Sequence, residues 1–98
     1  MQDTTKAPLF PLGQIVATPG VLAALGKAGQ TPLDFLARHM CGDWGELDEE
    51  DRKENHLSLK RGFRLLSSYR TSSGDGTKVW VITEADRSVT TLLLPEEY

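Results

Sequence analysis

The chain has 98 residues, with 11 basic against 14 acidic side chains and a net charge of −3. That length makes one domain with a modest core, so a second subunit is a natural cover for leftover apolar surface. The acidic total argues against a binder that grips nucleic acid by global charge. The single cysteine, Cys41, excludes an internal disulfide framework and fits a reducing compartment.

Residues 1–7 are polar and read as flexible. The N-terminus has no basic, apolar pattern of a signal peptide, and no stretch is long and apolar enough to span a bilayer, so the expected location is cytoplasmic. Leu9–Ala17 reads as a strand that Pro11 and Gly13 confine to an edge or shorten to Gln14–Ala17. Thr18-Pro19 and Thr31-Pro32 each pair a hydroxyl N-cap with proline at the first helical position, where the missing N–H is no loss. The first helix carries Val21, Leu22 and Leu25 and ends around Gly26–Gly29. The second has Asp34 in a capping box and places Leu33, Leu36, Ala37 and Met40 on one stripe, stopping near Gly42. A third helix starts at Asp48, with Glu49, Glu50 and Asp51 complementing its dipole, and ends at Lys60, Arg61 and Gly62. Its apolar stripe of Leu47, Leu57 and Leu59 is thin, which predicts a mostly solvated helix.

Phe63 to Pro95 holds three runs rich in β-branched and aromatic residues, separated by compact turns, and predicts an antiparallel meander. The fold class is therefore α+β: three short helices packed on one face of an antiparallel sheet of three or four strands, in the order β-α-α-α-β-β-β. Charge parity sorts the sheet faces. Pairing Thr71 with Thr77 sets Arg64 opposite Glu84 and leaves Phe63, Leu65, Ser67, Tyr69, Val79, Val81 and Thr83 on a charge-free core face. Closing the second hairpin through Ala85-Asp86-Arg87 adds Val89, Thr91 and Leu93 to that face. The opposite face then carries Leu66, Trp80, Ile82, Leu92 and Leu94, rimmed by Arg64, Arg70, Lys78 and Glu84. An apolar patch with a charged rim describes a partner-binding surface, unless a helix or the N-terminal segment covers it.

Charge is unevenly placed along the chain. Residues 43–54 carry seven acids and two bases, and residues 60–78 five bases and one acid. The basic group, with Tyr69 and Trp80, offers a small RNA-binding surface, against which stand the acidic total and a solvated rim. Nucleic acid is thus a less favoured partner than a second copy of the chain or another protein.

The densest set of reactive side chains is His39-Met40-Cys41-Gly42-Asp43-Trp44-Gly45, with His56 further on. Cys41 with a histidine makes a thiol nucleophile and base, and His39, Cys41, Asp43 and His56 make a ligand set for a metal. The spacing is diagnostic of neither, and a lone cysteine after an amphipathic helix is more often a small buried hydrophobe. Gly42-Asp43-Trp44-Gly45 reads better as a tight turn in which Asp43 bonds nearby backbone and Trp44 plugs the core edge. Asp43, Glu46 and Glu50 read as solvated, and Ser72–Gly76 as a hairpin loop between strands rather than a phosphate cradle. No cofactor and no metal site is expected.

Two passages, QIVATPGVLAAL…ARHMCGDWGELDEEDRKEN and RLLSSYRTSSGDGTKVWVITEADRSVTTLLLPEEY, resemble a family of small uncharacterised bacterial proteins of plasmids, integrons and other mobile elements. The resemblance runs from about Leu9 to Tyr98. Its most specific pieces are His39…Gly42-Asp43-Trp44-Gly45 and the run from Trp80 to Ser88. Members often carry a label linking them to a type I restriction–modification subunit, an activity for which this chain has neither a methyltransferase motif nor a motor domain. The resemblance implies an accessory gene of mobile DNA and supplies no catalytic residues. The element order is also similar to that of small ribonuclease toxins, which are typically basic. The leading expectation is a non-enzymatic interaction or regulatory module self-associating through Leu66, Trp80, Ile82, Leu92, Leu94, Arg64 and Arg70. The alternative is a small hydrolase, a toxin-like ribonuclease or a metal- or thiol-dependent enzyme at His39, Cys41, Asp43 and His56.

Overall fold

The computed structural model describes residues 7–98. The expectation of a loose N-terminus falls, Ala7 apart, outside them. Strand β1 (Gln14–Ala17) is followed by helices α1 (Pro19–Ala28), α2 (Pro32–His39) and α3 (Glu49–Arg61). Strands β2 (Leu65–Arg70), β3 (Lys78–Thr83) and β4 (Val89–Leu93) follow, and a 3₁₀ turn at Pro95–Glu97 ends the element order. The fold is α+β with the expected order. The meander is antiparallel, and β1 joins its β4 edge in parallel, giving a mixed sheet in the order β1-β4-β3-β2.

Local chemistry accounts for the helix boundaries. The Thr18 hydroxyl accepts the Val21 N–H at 3.2 Å, and the Asp34 carboxylate accepts the Thr31 N–H at 2.8 Å. Asp48 accepts the Asp51 N–H at 2.8 Å, and α3 closes on left-handed Gly62. Val21 and Leu25 of α1 and Phe35 and Leu36 of α2 pack with Tyr69, Val79, Val81 and Leu92 in the main core. A second cluster joins Phe10, Trp44 and Leu65 to the flanks of Leu12, Leu47 and Leu59. Helix α3 buries only Asn55 and Ser58, as its thin stripe predicts.

The stripe on α2 departs from expectation. Its buried residues are Phe35, Leu36 and His39, while Leu33 is 66% exposed, Ala37 is exposed and Met40 is half-buried. A histidine with both nitrogens bonded takes a core position, and that rotates the buried face. On α1, Leu22 is likewise exposed, and Val21 and Leu25 carry the packing.

The first hairpin has the expected register: Leu65 pairs with Thr83 and Tyr69 with Val79, and the Thr71 N–H reaches the Thr77 carbonyl at 3.0 Å. The second hairpin does not. Thr83 pairs with Thr90 and Val81 with Leu92, so Thr90 and Leu92 lie on the core face and Val89, Thr91 and Leu93 on the other. The loop holds four residues, Ala85 to Ser88, rather than three. The Arg87 N–H closes on the Glu84 carbonyl at 2.9 Å, and Arg87 then turns left-handed at φ 62° before Val89 pairs with Glu84. One extra loop residue flips every side chain of the following strand. The Arg87 guanidinium holds this conformation by donating to the carbonyls of Phe63 (2.7 Å), Ala85 (3.0 Å), Ser58 (3.1 Å) and Glu84 (3.1 Å).

Candidate interaction surface

An exposed sheet edge presents unpaired backbone groups, and the β2 edge is closed by two devices. The Trp44–Glu46 segment runs alongside Ser68, with the Ser68 N–H on the Trp44 carbonyl at 3.1 Å and the Glu46 N–H on the Ser68 carbonyl at 2.7 Å. Gly45 permits this approach, since it sits at φ 76° and an added Cβ would overlap the Ser68 carbonyl oxygen. One pleat further, the Asn55 amide mimics a strand. Its Oδ1 accepts the Leu66 N–H at 3.1 Å, and its Nδ2 donates to the Leu66 carbonyl at 2.6 Å.

The residues singled out for chemistry are distributed as follows. His39 is fully buried, its Nδ1 2.5 Å from Ser67 Oγ and its Nε2 2.9 Å from Thr83 Oγ1. The hydroxyl chain continues to Thr90 Oγ1 at 2.7 Å and ends on the Leu12 carbonyl at 2.7 Å. That carbonyl can only accept, which fixes the direction along this chain: Thr90 donates to Leu12, Thr83 to Thr90, and His39 Nε2–H to Thr83. A neutral imidazole is then the Nε2–H tautomer, with Nδ1 accepting from Ser67. Phe10 and Trp44 close over the ring edge-on at 5.2 and 5.7 Å. Burial pushes the imidazole pKa down to about 4.

Asp43 forms an ion pair with Arg38 at 2.7 Å and accepts the Gly45 N–H at 3.3 Å, as the tight-turn reading predicts. Its carbonyl takes the Tyr69 hydroxyl at 2.6 Å, while the Arg38 guanidinium lies 4.5 Å over the Tyr69 ring. Trp44 is 2% exposed and plugs the second core cluster. Cys41 is half-buried in the turn after α2, and His56 is exposed on α3. Among the described residues no three His, Cys, Asp or Glu side chains are placed to share a metal ion.

The other face of the sheet is centred on Trp80. Leu66 pairs with Ile82, Ser68 with Trp80, and Trp80 with Leu93, which puts these side chains on one surface. Leu92 and Leu94 do not belong to it. Leu92 is fully buried under the helices, and Leu94 packs against the same main core. Leu93 takes the place expected of Leu92, through the four-residue loop described above. The rim carries the Arg64–Glu84 pair at 3.3 Å and the Arg70–Glu46 pair at 2.8 Å, with Lys78 exposed beside them. Trp80 and Leu66 remain half-buried, whereas Ile82 and Leu93 are each only 6% exposed.

The segment after β4 forms part of the cover. Tyr98 sets its ring edge against Trp80 at 5.8 Å and accepts from Arg64 Nη1 at 2.8 Å. Glu97 is anchored at the start of α1, accepting the Thr18 hydroxyl at 2.5 Å and the Leu94 N–H at 2.8 Å. The Thr18 hydrogen bond, with those of the Leu94 and Gly20 amides, holds the Glu97 carboxyl below the usual carboxylate range. Gly20 leaves room for that carboxylate, because an added Cβ would overlap its oxygen. Sequence reasoning missed this clasp. Its only signal is the Glu-Tyr pair just beyond the last strand, and its two anchors, Thr18 and Arg64, lie far away in the chain.

Beside Leu66 the face runs into a groove of about 310 Å³ between α3 and β2. Leu47, Leu66 and Phe63 give it an apolar lining, Asp51 and Glu54 stand on the helix side, and Arg64 on the strand side. Phe63 is 51% exposed there. Comparison with protein-family models, curated proteins and solved structures finds no match. Among the described residues no helix is long and apolar enough to cross a membrane.

Proposed function

We propose that this chain is a non-enzymatic protein-interaction module that self-associates through the Trp80 face of its sheet. The observation that carries this reading is the half-buried Trp80 on the sheet face that also carries half-buried Leu66, with a charged rim and the groove at Leu66 and Phe63 alongside. A tryptophan within a patch whose edge carries arginines and other charges fits the composition of a binding surface. His39, the side chain best suited to catalysis, is sealed in the core with both nitrogens engaged, which supports a binding role over a hydrolytic one. The closed β2 edge favours association through the face rather than strand addition on that side. The likeness of the His39–Gly45 and Trp80–Ser88 stretches to small proteins of plasmids supports a place among accessory proteins of bacterial mobile DNA.

Light scattering across a concentration series tests the reading. The wild-type protein is expected to exceed the mass of one chain as concentration rises, and Trp80→Glu to return it to one chain while keeping its fold. A wild type that stays at one-chain mass throughout, with Trp80→Glu equal to it in size and stability, removes the basis of the proposal.

A further inference from the structure

The two edges of the sheet differ. The β2 edge is closed by the Trp44–Glu46 segment and by Asn55, whereas β1 forms the other edge, and nothing among the described residues pairs with its outer side. The parallel ladder fixes which backbone groups point outward. The Gln14 and Thr18 amides donate inward, to the Ser88 carbonyl at 2.9 Å and the Leu92 carbonyl at 3.1 Å, so the bonds to β4 fall on residues 14, 16 and 18. Ile15 and Ala17 therefore direct both N–H and C=O away from the sheet. The edge is apolar as well: Ile15 is 43% and Val16 41% exposed, and no charged residue occurs from Pro8 to Gly26. Solvent-exposed edges are commonly guarded by a charge, a proline or a cover, and Gln14–Ala17 carries neither charge nor proline.

We propose that two copies of this chain join antiparallel through the outer edges of β1, with Val16 opposite Val16 of the second copy, continuing the four-stranded sheet to eight strands. The outward groups select this occupant. Those of Ile15 and Ala17 are symmetric about Val16, so a two-fold axis there pairs Ile15 of each copy with Ala17 of the other and closes four hydrogen bonds. Joining β1 of one copy to β2 of the next is blocked by the closed β2 edge, so the contact ends at two copies instead of running on. The uncharged segment brings no like charges together. Ile15 and Ala17 meet on the helix side, where they pair with Thr90 and Leu92, and the two Val16 side chains meet on the Trp80 side. The proposal rests on self-association through the Trp80 face. Four residues a side are far fewer than the roughly 20–30 of a stable interface, so the edges hold only when the faces pair too. The two-fold axis leaves both Trp80 faces on one side of the joined sheet. Two such sheets then stack face to face, and the assembly closes at four copies, each making one edge and one face contact.

Sedimentation of the full chain at rising concentration reads the assembled mass, and the wild type is expected to level off at four chains. Ile15→Lys puts a charge on the exposed edge, and Ile15→Pro removes an outward N–H that bonds nothing in the single chain. Both leave the Trp80 face intact, and each is expected to halve the final mass to two chains. Amide exchange gives the direct readout. The Ile15 and Ala17 amides should slow about tenfold or more on assembly of the wild type and stay fast in Trp80→Glu. A wild type that stops at two chains with these amides still fast overturns the pairing of edges, leaves the face reading standing and frees the edge for a strand of another protein. Ile15 variants that still reach four chains overturn it as well. So do slow Ile15 and Ala17 amides in single-chain Trp80→Glu, because the edge is then covered within one copy. A wild type that stays at one chain throughout overturns both the edge pairing and the reading beneath it.

Discussion

His39 stands on α2 where a helix of this amphipathic pattern would place a leucine, with no exposed surface and two hydroxyl partners. Its protonation therefore couples to folding. The unfolded chain takes up a proton near 6.5, and burial holds the folded imidazole neutral down to about 4. Between those values the unfolded state binds more protons, so stability is full above pH 6.5 and declines as pH falls toward 4. The difference corresponds to roughly 3 kcal/mol over that interval. Urea unfolding of the wild type should lose stability across this range, and His39→Gln, less stable at neutral pH, should lose measurably less. Parallel pH profiles for the two proteins would contradict the buried, neutral assignment. The turn at Asp43 and the plug at Trp44 were legible in the sequence, because glycine spacing and a lone tryptophan constrain a short loop. The role of His39 was not. Its partners Ser67, Thr83 and Thr90 lie far along the chain, and a histidine counts as polar until a network satisfies both nitrogens.

At the level of elements, helix limits were written in local chemistry. Thr18, Thr31, Asp48 and Gly62 act on the residues beside them, and these four caps fall where the sequence puts them. The first hairpin was also legible, since the opposed charges of Arg64 and Glu84 report its register. The second was misread by one residue because Arg87, a residue type rarely left-handed, extends the loop. Its conformation depends on carbonyls of Ser58 and Phe63 that no local pattern reveals. The edge of β2 shows the same dependence on distant groups. Asn55 looks like one more polar residue on a solvated helix, yet it supplies both hydrogen bonds that Leu66 would otherwise lack. Asn55→Ala should lower stability by about 2 kcal/mol, the cost of leaving a backbone pair without its partners. By contrast, Leu57→Ala at an exposed position of the same helix should stay within about 0.5 kcal/mol. Amide exchange at Leu66 should speed up in the asparagine variant alone. Equal effects from the two substitutions would mean that Asn55 does not close the edge.

Across the whole molecule, the sheet has one face given to the helices and one that the chain covers incompletely. Alternation of charge along β2 and β3 made the two faces visible in the sequence, and the parallel addition of β1 to β4 did not alter that division. What the sequence could not express was the partial cover by Glu97 and Tyr98, because it joins the two ends of the fold through single contacts. The dipolar charge of the chain now has a spatial meaning as well. Asp51 and Glu54 of α3 and Arg64, just before β2, stand on opposite sides of one groove, next to the surface proposed to bind.

On the proposed reading, the Trp80 face is where this protein meets a second copy of itself. The chain has two tryptophans, one on that face and one in the core, so the indole N–H signals of Trp80 and Trp44 in a proton–nitrogen NMR spectrum report the two places separately. On raising the concentration from micromolar to millimolar, the Trp80 signal should shift while that of Trp44 stays fixed. Two unmoving indole signals at every concentration, with the diffusion rate of a single chain, would contradict self-association through this face.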